Sequence, residues 1–434
     1  MSSLSESRTD PGPKYLKRAQ VTHATGSDAV RRTVEEMLAK INAGGEDEVA
    51  RIARDLDGWT GPILVDPDQI AAAARKVPEG LRDDIRFAHD NIRRFAEAQL
   101  ASAGAFQIEL RPGLVAGQRQ IPVDCAGCYV PGGRYAHIAS AIMTVTTAKV
   151  AGTRHVTACS PPSDAGGIHP AVLFAMDLCG ADSILTLGGV QGVAAMAGGL
   201  FGLPSADILV GPGNQYVAEA KRSLFGATGI DLPAGPTDSL VVADSSADPE
   251  VVAVDLIGQA EHGPNSPVFL VTDDEALGRR VMDRAPQLAD ALPKPNGDHA
   301  RTAWTDCAEV ILCRDREQMA QMADTIAPEH LHVQARDLDW WLDRLRAYGS
   351  LFLGPETTVA FGDKCSGPNH VLPTGRAARF TGGLSVHSFL KTVTWQRMDD
   401  RAIDAIAGAT ARISRTEGME GHARSADIRL RKDV

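Results

Sequence analysis

The sequence predicts the α/β fold class, and two observations support that prediction. Apolar strand segments alternate with helical segments between residues 129 and 238, and the alternation resumes between 239 and 384. Such a pattern is typical of βαβ units around a parallel sheet. The 434 residues are enough for roughly two to four domains.

The first hundred residues are predicted to be mostly helical. Apolar side chains recur with helical period over residues 27–56 and 67–103. Residues 107–115 and 118–123 then alternate between apolar and polar side chains, which indicates paired strands joined through a Pro-Gly turn. The change from helix to strand suggests a domain boundary nearby.

Residues 129–238 are predicted to form the first set of βαβ units, with helices beginning at Ala171 and Val193. Glycine-rich turns follow its strands, at the position where open α/β sheets bind ligands. None of these turns matches G-x-G-x-x-G, and a glycine-rich turn alone is more often a tight connection than a cofactor site. The expected strands are residues 155–159, 183–187 and 207–210.

Residues 239–384 are predicted to form a second α/β sheet, which shares part of the N-terminal half. Its expected strands are residues 240–243, 268–271, 309–312 and 351–353. We therefore expect two Rossmann-like α/β domains, one inserted in the other, with small N-terminal helical and C-terminal arm segments. The predicted divisions are an N-terminal segment over 1–26, a first domain over 27–128 and 239–384, an insertion over 129–238 and an arm over 385–434.

Composition excludes several classes of protein. The net charge of -11 argues against a nucleic-acid-binding protein, although a local cationic pocket for an anionic substrate remains open. No apolar run approaches about 18 residues, and the N-terminus lacks an apolar signal region, so no membrane partner is expected. Seven scattered cysteines suit a reducing cytoplasm. The Cys125–Cys128 pair has redox or zinc-knuckle spacing, but without a second pair a buried structural role is favoured.

The pair Gln259 and His262 is the most informative feature of the chain. Residues at i and i+3 share a helix face, and both side chains can bind a divalent metal. Further donors are available in residues 361–370 and 417–422. A Gln and His at this spacing are more often surface or capping residues, because only a complete ligand set specifies zinc.

Glu329 and His330 are adjacent proton-transfer groups that follow Ala327 and Pro328. After this turn both side chains could face a cleft, but a helix cap beside an exposed histidine is the alternative. Asp363 alone is typical of an Asx turn or a helix cap. His422 alone is typical of a solvated histidine.

These segments resemble the histidinol dehydrogenase family. The motifs at 233–238, 257–267 and 327–331 stand in the family's order and at nearly its spacing, and the resemblance covers nearly the whole chain. It implies oxidation of a primary alcohol to a carboxylate through a bound aldehyde, with NAD and zinc. It also implies a homodimer in which exchanged C-terminal arms complete the partner's active site.

The resemblance also implies the site residues. We expect His330 to accept the alcohol proton and Glu329 to activate water against the aldehyde. The other implied residues are Gln259, His262, Asp363 and His422 for zinc, Tyr129, Gln191 and Asn214 for NAD, and Thr237 and Glu417, together with His330 and the four zinc ligands, for the substrate. Lys364 is also expected to bind the substrate, on the ground of its charge.

The substrate end departs from the family pattern. Thr237-Asp238 replaces Ser-Glu, Lys364 replaces a tyrosine and Pro368 replaces a threonine. A lysine beside a metal ligand disfavours a cationic amine and favours an anionic group, although it could also be a solvated surface residue. With residues 380–387, the pattern resembles the sulfopropanediol 3-dehydrogenase branch, which oxidises 2,3-dihydroxypropane-1-sulfonate to 3-sulfolactate.

Three hypotheses follow from these observations. The first is oxidation of a small anionic alcohol such as sulfopropanediol. The second is oxidation of histidinol or another amino alcohol. The third is a noncatalytic binding relative, which is disfavoured because both bases and all four metal ligands are present.

Overall fold

Two sheets of mostly parallel strands form the framework of the protein in the computed structural model. The structure describes residues 12–21, 28–132, 135–163, 166–232 and 235–430. Most of the predicted N-terminal segment, Gly133 of one glycine-rich turn, and the start of the 233–238 motif lie outside the described residues.

Strands account for three sheets. The strands are β1 Lys14–Lys17, β2 Phe106–Arg111, β3 Leu114–Pro122, β4 Cys125–Tyr129, β5 His155–Ser160, β6 Ser183–Thr186, β7 Ile208–Val210, β8 Gly229–Ile230, β9 Ser239–Ala243, β10 Val268–Thr272, β11 Glu309–Leu312, β12 His330–Gln334, β13 Ser350–Leu353 and β14 Leu390–Met398.

Helices cover both sheets and form the arm. They are α1 Asp28–Asp57, α2 Pro67–Lys76, α3 Glu79–Ser102, α4 Ile138–Ala141, α5 Thr147–Val150, α6 Pro170–Leu178, α7 Gly189–Gly198, α8 Gln215–Leu224, α9 Pro249–Ala260, α10 Glu275–Ala291, α11 Asn296–Cys307, α12 Arg316–Ile326, α13 Leu338–Arg344, α14 Val359–Gly362, α15 Asp400–Thr416 and α16 Glu420–Asp427. A π-helical segment, Ile142–Thr146, joins α4 to α5. Short 3₁₀ turns occur at Ala377–Arg379, Val386–Phe389 and Ile428–Leu430.

Strand pairing confirms the α/β class. The six-stranded sheet has the order β1-β11-β10-β9-β12-β13, in which only the edge strand β1 is antiparallel to its neighbour. The five-stranded sheet has the order β6-β5-β4-β7-β8 and is parallel throughout. The predicted hairpin forms β2 and β3, and β14 of the C-terminal arm adds an antiparallel third strand.

The elements that belong to each sheet differ from the predicted domain divisions in two ways. Strand β4 belongs to the five-stranded sheet, so that sheet begins at Cys125 rather than 129. Helices α1, α2 and α3 contact the helices that connect the strands of the five-stranded sheet. The sequence-based prediction grouped them with residues 239–384 instead. A helical period identifies the buried face of a helix but does not identify the sheet that buries it.

The expected site residues lie at the carboxyl ends of strands in the five-stranded sheet and at the amino ends of strands in the six-stranded sheet. Tyr129 and the glycine-rich turns at Gly188 and Gly211 follow the carboxyl ends of strands in the five-stranded sheet. Asp238 and His330 lie at the amino ends of β9 and β12 in the six-stranded sheet. Within the described ranges, no helix is both long enough and apolar enough to span a bilayer.

Candidate active site

Glu329 and His330, the expected bases, lie at the amino end of β12. Helix α12 ends at Ala327, whose left-handed backbone (φ 50°) redirects the chain before Glu329 and His330. Both side chains are buried, with Glu329 6% and His330 3% exposed. His330 Nδ1 lies 3.7 Å from Glu329 Oε2, and His330 Nε2 lies 3.4 Å from Asp363 Oδ1. The alternative of a helix cap beside an exposed histidine is therefore wrong.

Burial and mutual charge set the protonation of this group. Burial raises the pKa of Glu329, and the nearby carboxylates of Asp238 and Asp363 raise it further against the effect of His330. Burial alone would lower the pKa of His330, but Glu329 and Asp363 outweigh burial and raise it. His330 in turn holds the pKa of Asp363 below its usual range despite burial. The imidazole is thus positioned between two acids.

Asp238 supports this group, although in the sequence it stands out only as a departure from the family pattern. It is 8% exposed at the amino end of β9. Its carboxylate accepts hydrogen bonds from the backbone N–H groups of Glu329 (2.6 Å) and Gly375 (3.1 Å). Its own N–H donates to Glu329 Oε2 at 3.3 Å. Asp238 therefore fixes the turn that carries Glu329 and His330. Thr237, the residue before it, is half-buried.

Two expected metal ligands, Asp363 and His262, lie near His330, and the third, Gln259, precedes His262 by one helical turn. Gln259 lies in the last turn of α9, His262 follows the end of that helix, and Asp363 follows α14. His262 Nε2 is 4.0 Å from Asp363 Oδ2. Gln259 is 5% exposed, and its Oε1 has no hydrogen-bond partner among the described residues. An unpaired buried carbonyl oxygen, an imidazole one helical turn after it and a carboxylate 4.0 Å from that imidazole are donor types that fit zinc.

The fourth expected ligand lies elsewhere in this chain. His422 is exposed in α16 and lines an apolar groove of the arm with Met398, Ile403 and Ile406. Glu417 is exposed at the end of α15. Accordingly, no group of three or more His, Cys, Asp and Glu side chains within the described ranges is arranged to hold a metal. A single chain brings together Gln259, His262, Asp363, Glu329 and His330.

Lys364 is exposed immediately after Asp363. Burial and then the charge of Lys364 lower the pKa of His137 to about 4, with smaller effects from His370 and His262. His370 supports this segment: its Nδ1 lies 2.8 Å from the carbonyl oxygen of Asp363, and its Nε2 lies 3.1 Å from Ser140 Oγ. The lysine thus borders a group of imidazoles.

The expected cofactor residues gather at the carboxyl edge of the five-stranded sheet. The Tyr129 hydroxyl accepts a hydrogen bond from Gly189 N–H at 3.1 Å. Gln191 donates to Asp57 Oδ2 at 2.8 Å, and its buried Oε1 has no partner among the described residues. Asn214 is exposed and caps α8 through its Oδ1. The free amide oxygen of Gln191 and the amide nitrogen of Asn214 suit a polar cofactor.

A hydrogen-bonded bridge joins the two α/β units beside the site. Tyr135, which follows β4, donates from its hydroxyl to Asn296 Oδ1 at 3.0 Å. Asn296 lies at the start of α11 and donates to Glu261 Oε2 at 2.9 Å. Glu261 directly precedes His262. The bridge therefore links the cofactor side of the molecule to the metal-ligand side.

Comparisons with known proteins identify the family. The family model "Histidinol dehydrogenase" matches residues 20–430. A "Histidinol dehydrogenase homolog" from Ruegeria pomeroyi is 67% identical and covers 92% of both chains, and a "Sulfopropanediol 3-dehydrogenase" from the same organism is 60% identical and covers 96% of both. The crystal structure of histidinol dehydrogenase from Elizabethkingia anophelis superposes with a TM-score of 0.89 at 31% identity, covering 95% of this chain and 94% of the other. The chain therefore belongs to the histidinol dehydrogenase family of oxidoreductases.

Proposed function

We propose that this protein oxidises a small anionic primary alcohol to a carboxylate in two steps, using NAD and zinc, with 2,3-dihydroxypropane-1-sulfonate as the substrate. The observation that carries the proposal is the buried group of Glu329, His330 and Asp363. His262 lies 4.0 Å from Asp363, and the unpaired oxygen of Gln259 belongs to the residue one helical turn before His262. Two bases in one buried site suit two successive oxidations. Family membership supports the reaction type.

Different residues of the chain take part in the two steps of the reaction. His330 receives the alcohol proton, because its imidazole is held between Glu329 and Asp363. Glu329 activates water against the aldehyde, because its carboxyl group is buried in the same site, 3.7 Å from His330 Nδ1. Gln259, His262 and Asp363 would hold zinc together with His422 of the partner subunit, and Tyr129, Gln191 and Asn214 would hold NAD. Zinc would polarise the bound substrate, and NAD would accept the two hydrides.

Lys364 supports the anionic substrate. Its ammonium follows Asp363 and lies close enough to affect His137, so it places a positive charge at the site. A fixed cation attracts a sulfonate and repels the ammonium group of histidinol. The relative at 60% identity is a sulfopropanediol 3-dehydrogenase, while the relative at 67% is a histidinol dehydrogenase homolog whose name specifies no substrate.

Histidinol oxidation is the second candidate, favoured by the close superposition on a histidinol dehydrogenase. One experiment separates the two. Purified protein receives either alcohol with NAD, and NADH formation is followed at equal enzyme concentration. We expect faster turnover of dihydroxypropanesulfonate and two NADH per alcohol consumed. More efficient turnover of histidinol would replace the sulfonate proposal with the amino-alcohol one.

The metal assignment has its own test. Zinc content is measured in the parent protein and in the His262→Ala and Asp363→Ala variants. We expect one zinc per chain in the parent and a clear loss in both variants. Undiminished zinc in both variants would refute this ligand set.

A further inference from the structure

A cluster of polar side chains lies on the same elements as the candidate active site, and the proposed reaction gives this cluster no role. We call it the buried cluster, and it consists of Asp255 in α9, His332 and Gln334 in β12, and Thr358 just before α14. The same three parts of the chain also carry the site residues Gln259, His330 and Asp363.

Asp255 is the centre of the buried cluster. Its Oδ1 accepts a hydrogen bond from Thr358 Oγ1 at 2.9 Å, and its Oδ2 accepts one from Gln334 Nε2 at 2.7 Å. His332 Nδ1 lies 3.4 Å from Asp255 Oδ2. The His332 side chain is completely buried, and that of Asp255 is 14% exposed. One carboxylate therefore joins three elements in a largely buried environment, where losing a partner is costly.

The spacing of residues connects Asp255 to the metal donors on its own helix. Asp255, Gln259 and His262 follow one another at i, i+4 and i+7, so they share one face of α9 and its C-terminal extension. Fixing Asp255 therefore fixes the rotation of α9 about its axis. That rotation determines where the Gln259 side chain points.

The link to Asp363 passes through a very short helix. Thr358 precedes α14, which has only four residues, and Asp363 follows it directly. Gly362 packs against Phe352, since a side chain added at Gly362 would meet the Phe352 ring at 2.5 Å. This single turn has little freedom once Thr358 and Phe352 are fixed. Thr358 thus determines the position of the Asp363 carboxylate.

His332 extends the same support to the neighbouring strand. His332 Nε2 lies 2.9 Å from the carbonyl oxygen of Gly354, and because a carbonyl only accepts, this nitrogen donates. The Phe352 ring lies beside both histidines of β12, with centroid distances of 6.2 Å to His330 and 6.4 Å to His332. The end of β13, from which the chain continues to Thr358, is therefore tied to β12.

We propose that Asp255 is a positioning residue for the metal site. Through Thr358 and Gln334 it holds α9, β12 and the turn before Asp363 in one arrangement, so that Gln259 and Asp363 are prepared to bind one ion. The inference rests on the proposed function for the metal itself. Partners that orient metal ligands typically change metal affinity about 10- to 100-fold when they are lost.

The test uses variants of the two hydrogen-bonding partners. Thr358→Val removes the hydroxyl at nearly constant shape, Thr358→Ser keeps it, and Asp255→Asn removes the charge. Zinc affinity is measured on metal-stripped protein by competition with a chromophoric chelator, and thermal unfolding of the same samples reports the fold. We expect Thr358→Val and Asp255→Asn to bind zinc about tenfold more weakly, and Thr358→Ser to bind within about twofold of the parent.

Asp324→Asn is the matched control. Its carboxylate accepts two backbone hydrogen bonds, from Arg346 and Ala347 at 2.8 and 3.0 Å, and its side chain is 22% exposed. It therefore resembles Asp255 in burial and in accepting two hydrogen bonds, but its partners are backbone groups and the nearby Arg344, and it supports a different loop. The inference is wrong if Thr358→Val and Asp255→Asn bind zinc as tightly as Thr358→Ser, or if Asp324→Asn weakens binding equally. A parent protein that binds no zinc would instead refute the proposed function.

Discussion

At the scale of single residues, a small number of substitutions distinguish this chain from the typical family pattern. Lys364 places a cation beside an expected metal ligand, and Asp238 fixes the turn that carries the two bases. Both changes occur at the substrate end, while Gln259, His262 and His330 keep the family's residue types. The differences therefore concern which alcohol binds more than how it is oxidised.

The Lys364→Tyr variant tests the charge at the substrate end. A charge-assisted contact contributes about 1.5 to 3 kcal/mol, so kcat/KM for dihydroxypropanesulfonate should fall roughly ten- to a hundredfold. Zinc content should not change. Lys40→Tyr, at another exposed lysine on α1, serves as the control. Equal kcat/KM values for the Lys364→Tyr variant and the parent would show that Lys364 does not contact the substrate.

Asp57 offers a pH-dependent prediction. Burial raises its pKa, and the hydrogen bond from Gln191 only partly opposes that shift. The folded protein therefore holds this proton more tightly than the unfolded chain, and stability is lost as pH rises through the raised pKa. Its position at the C-terminal end of α1 adds an unfavourable interaction with the helix dipole.

Asp57→Asn should raise the melting temperature at neutral pH, since the amide can still accept from Gln191. This gain should shrink as pH falls towards the unfolded value of about 4. Melting temperatures measured from pH 7 downwards check the prediction. Asp55→Asn, an exposed neighbour paired with Arg51, is the control. A gain that is the same at every pH would show that ionisation of Asp57 is not its cause.

At the scale of elements, the turn after β7 shows how the cofactor edge is held. The fully buried Lys221 in α8 donates to the carbonyl oxygen of Gly211 at 2.8 Å and pairs with Asp231. Asp231 also accepts from Gly211 N–H at 2.7 Å. Gly211 has φ +115°, and an added side chain would collide with the backbone of Tyr129. This ion pair thus fixes the turn that leads to Asn214.

Removing one partner of that ion pair should be costly. Asp231→Asn leaves the Lys221 cation without its partner charge, and breaking such a buried pair costs about 3 to 5 kcal/mol. We expect unfolding by urea to show a loss near that range and a raised KM for NAD. Glu219→Gln breaks an i, i+3 pair with the half-exposed Arg222 on the same helix and should cost less than about 1 kcal/mol. Comparable losses in the two variants would contradict the prediction.

At the scale of the whole molecule, the arm does not complete the site of its own chain. His422 and Glu417 are exposed, and strand β2 exposes Phe106, Ile108 and Leu110 at the edge of the three-stranded sheet. The predicted homodimer with exchanged arms would bring His422 to the partner's Gln259 and cover this apolar surface. Exposed apolar patches of this kind are typical of subunit interfaces.

Subunit complementation tests the exchange of arms. His330→Ala and His422→Ala proteins should each be inactive. After mixing and verified subunit exchange, activity should return, because a heterodimer holds one intact site when the arms are exchanged. The control is a mixture of two differently tagged His330→Ala proteins, which should stay inactive. No recovery in the first mixture would show that each chain uses its own arm.

The sequence by itself determined the fold class and most strands of the two α/β units, because strand and helix periods depend on local alternation of apolar side chains. The family resemblance predicts Glu329, His330, Gln259, His262 and Asp363 as site residues from the sequence alone. It did not identify β12 as the strand that carries His330. Polar and apolar residues alternate along this strand, but only Leu331 and Val333 of its five buried residues are apolar, which is a weak strand signal.

Only the tertiary structure decided how these residues support one another. It placed α1 to α3 on the five-stranded sheet, brought Asp238 under Glu329, and joined Asp255 to Thr358 across 103 positions of sequence. Local patterns do not encode such contacts, because the partners lie far apart in the chain and meet only where sheets and helices pack. The structure also places Glu329 and His330 at the amino end of β12, whereas ligands of open sheets are expected at the carboxyl ends of strands.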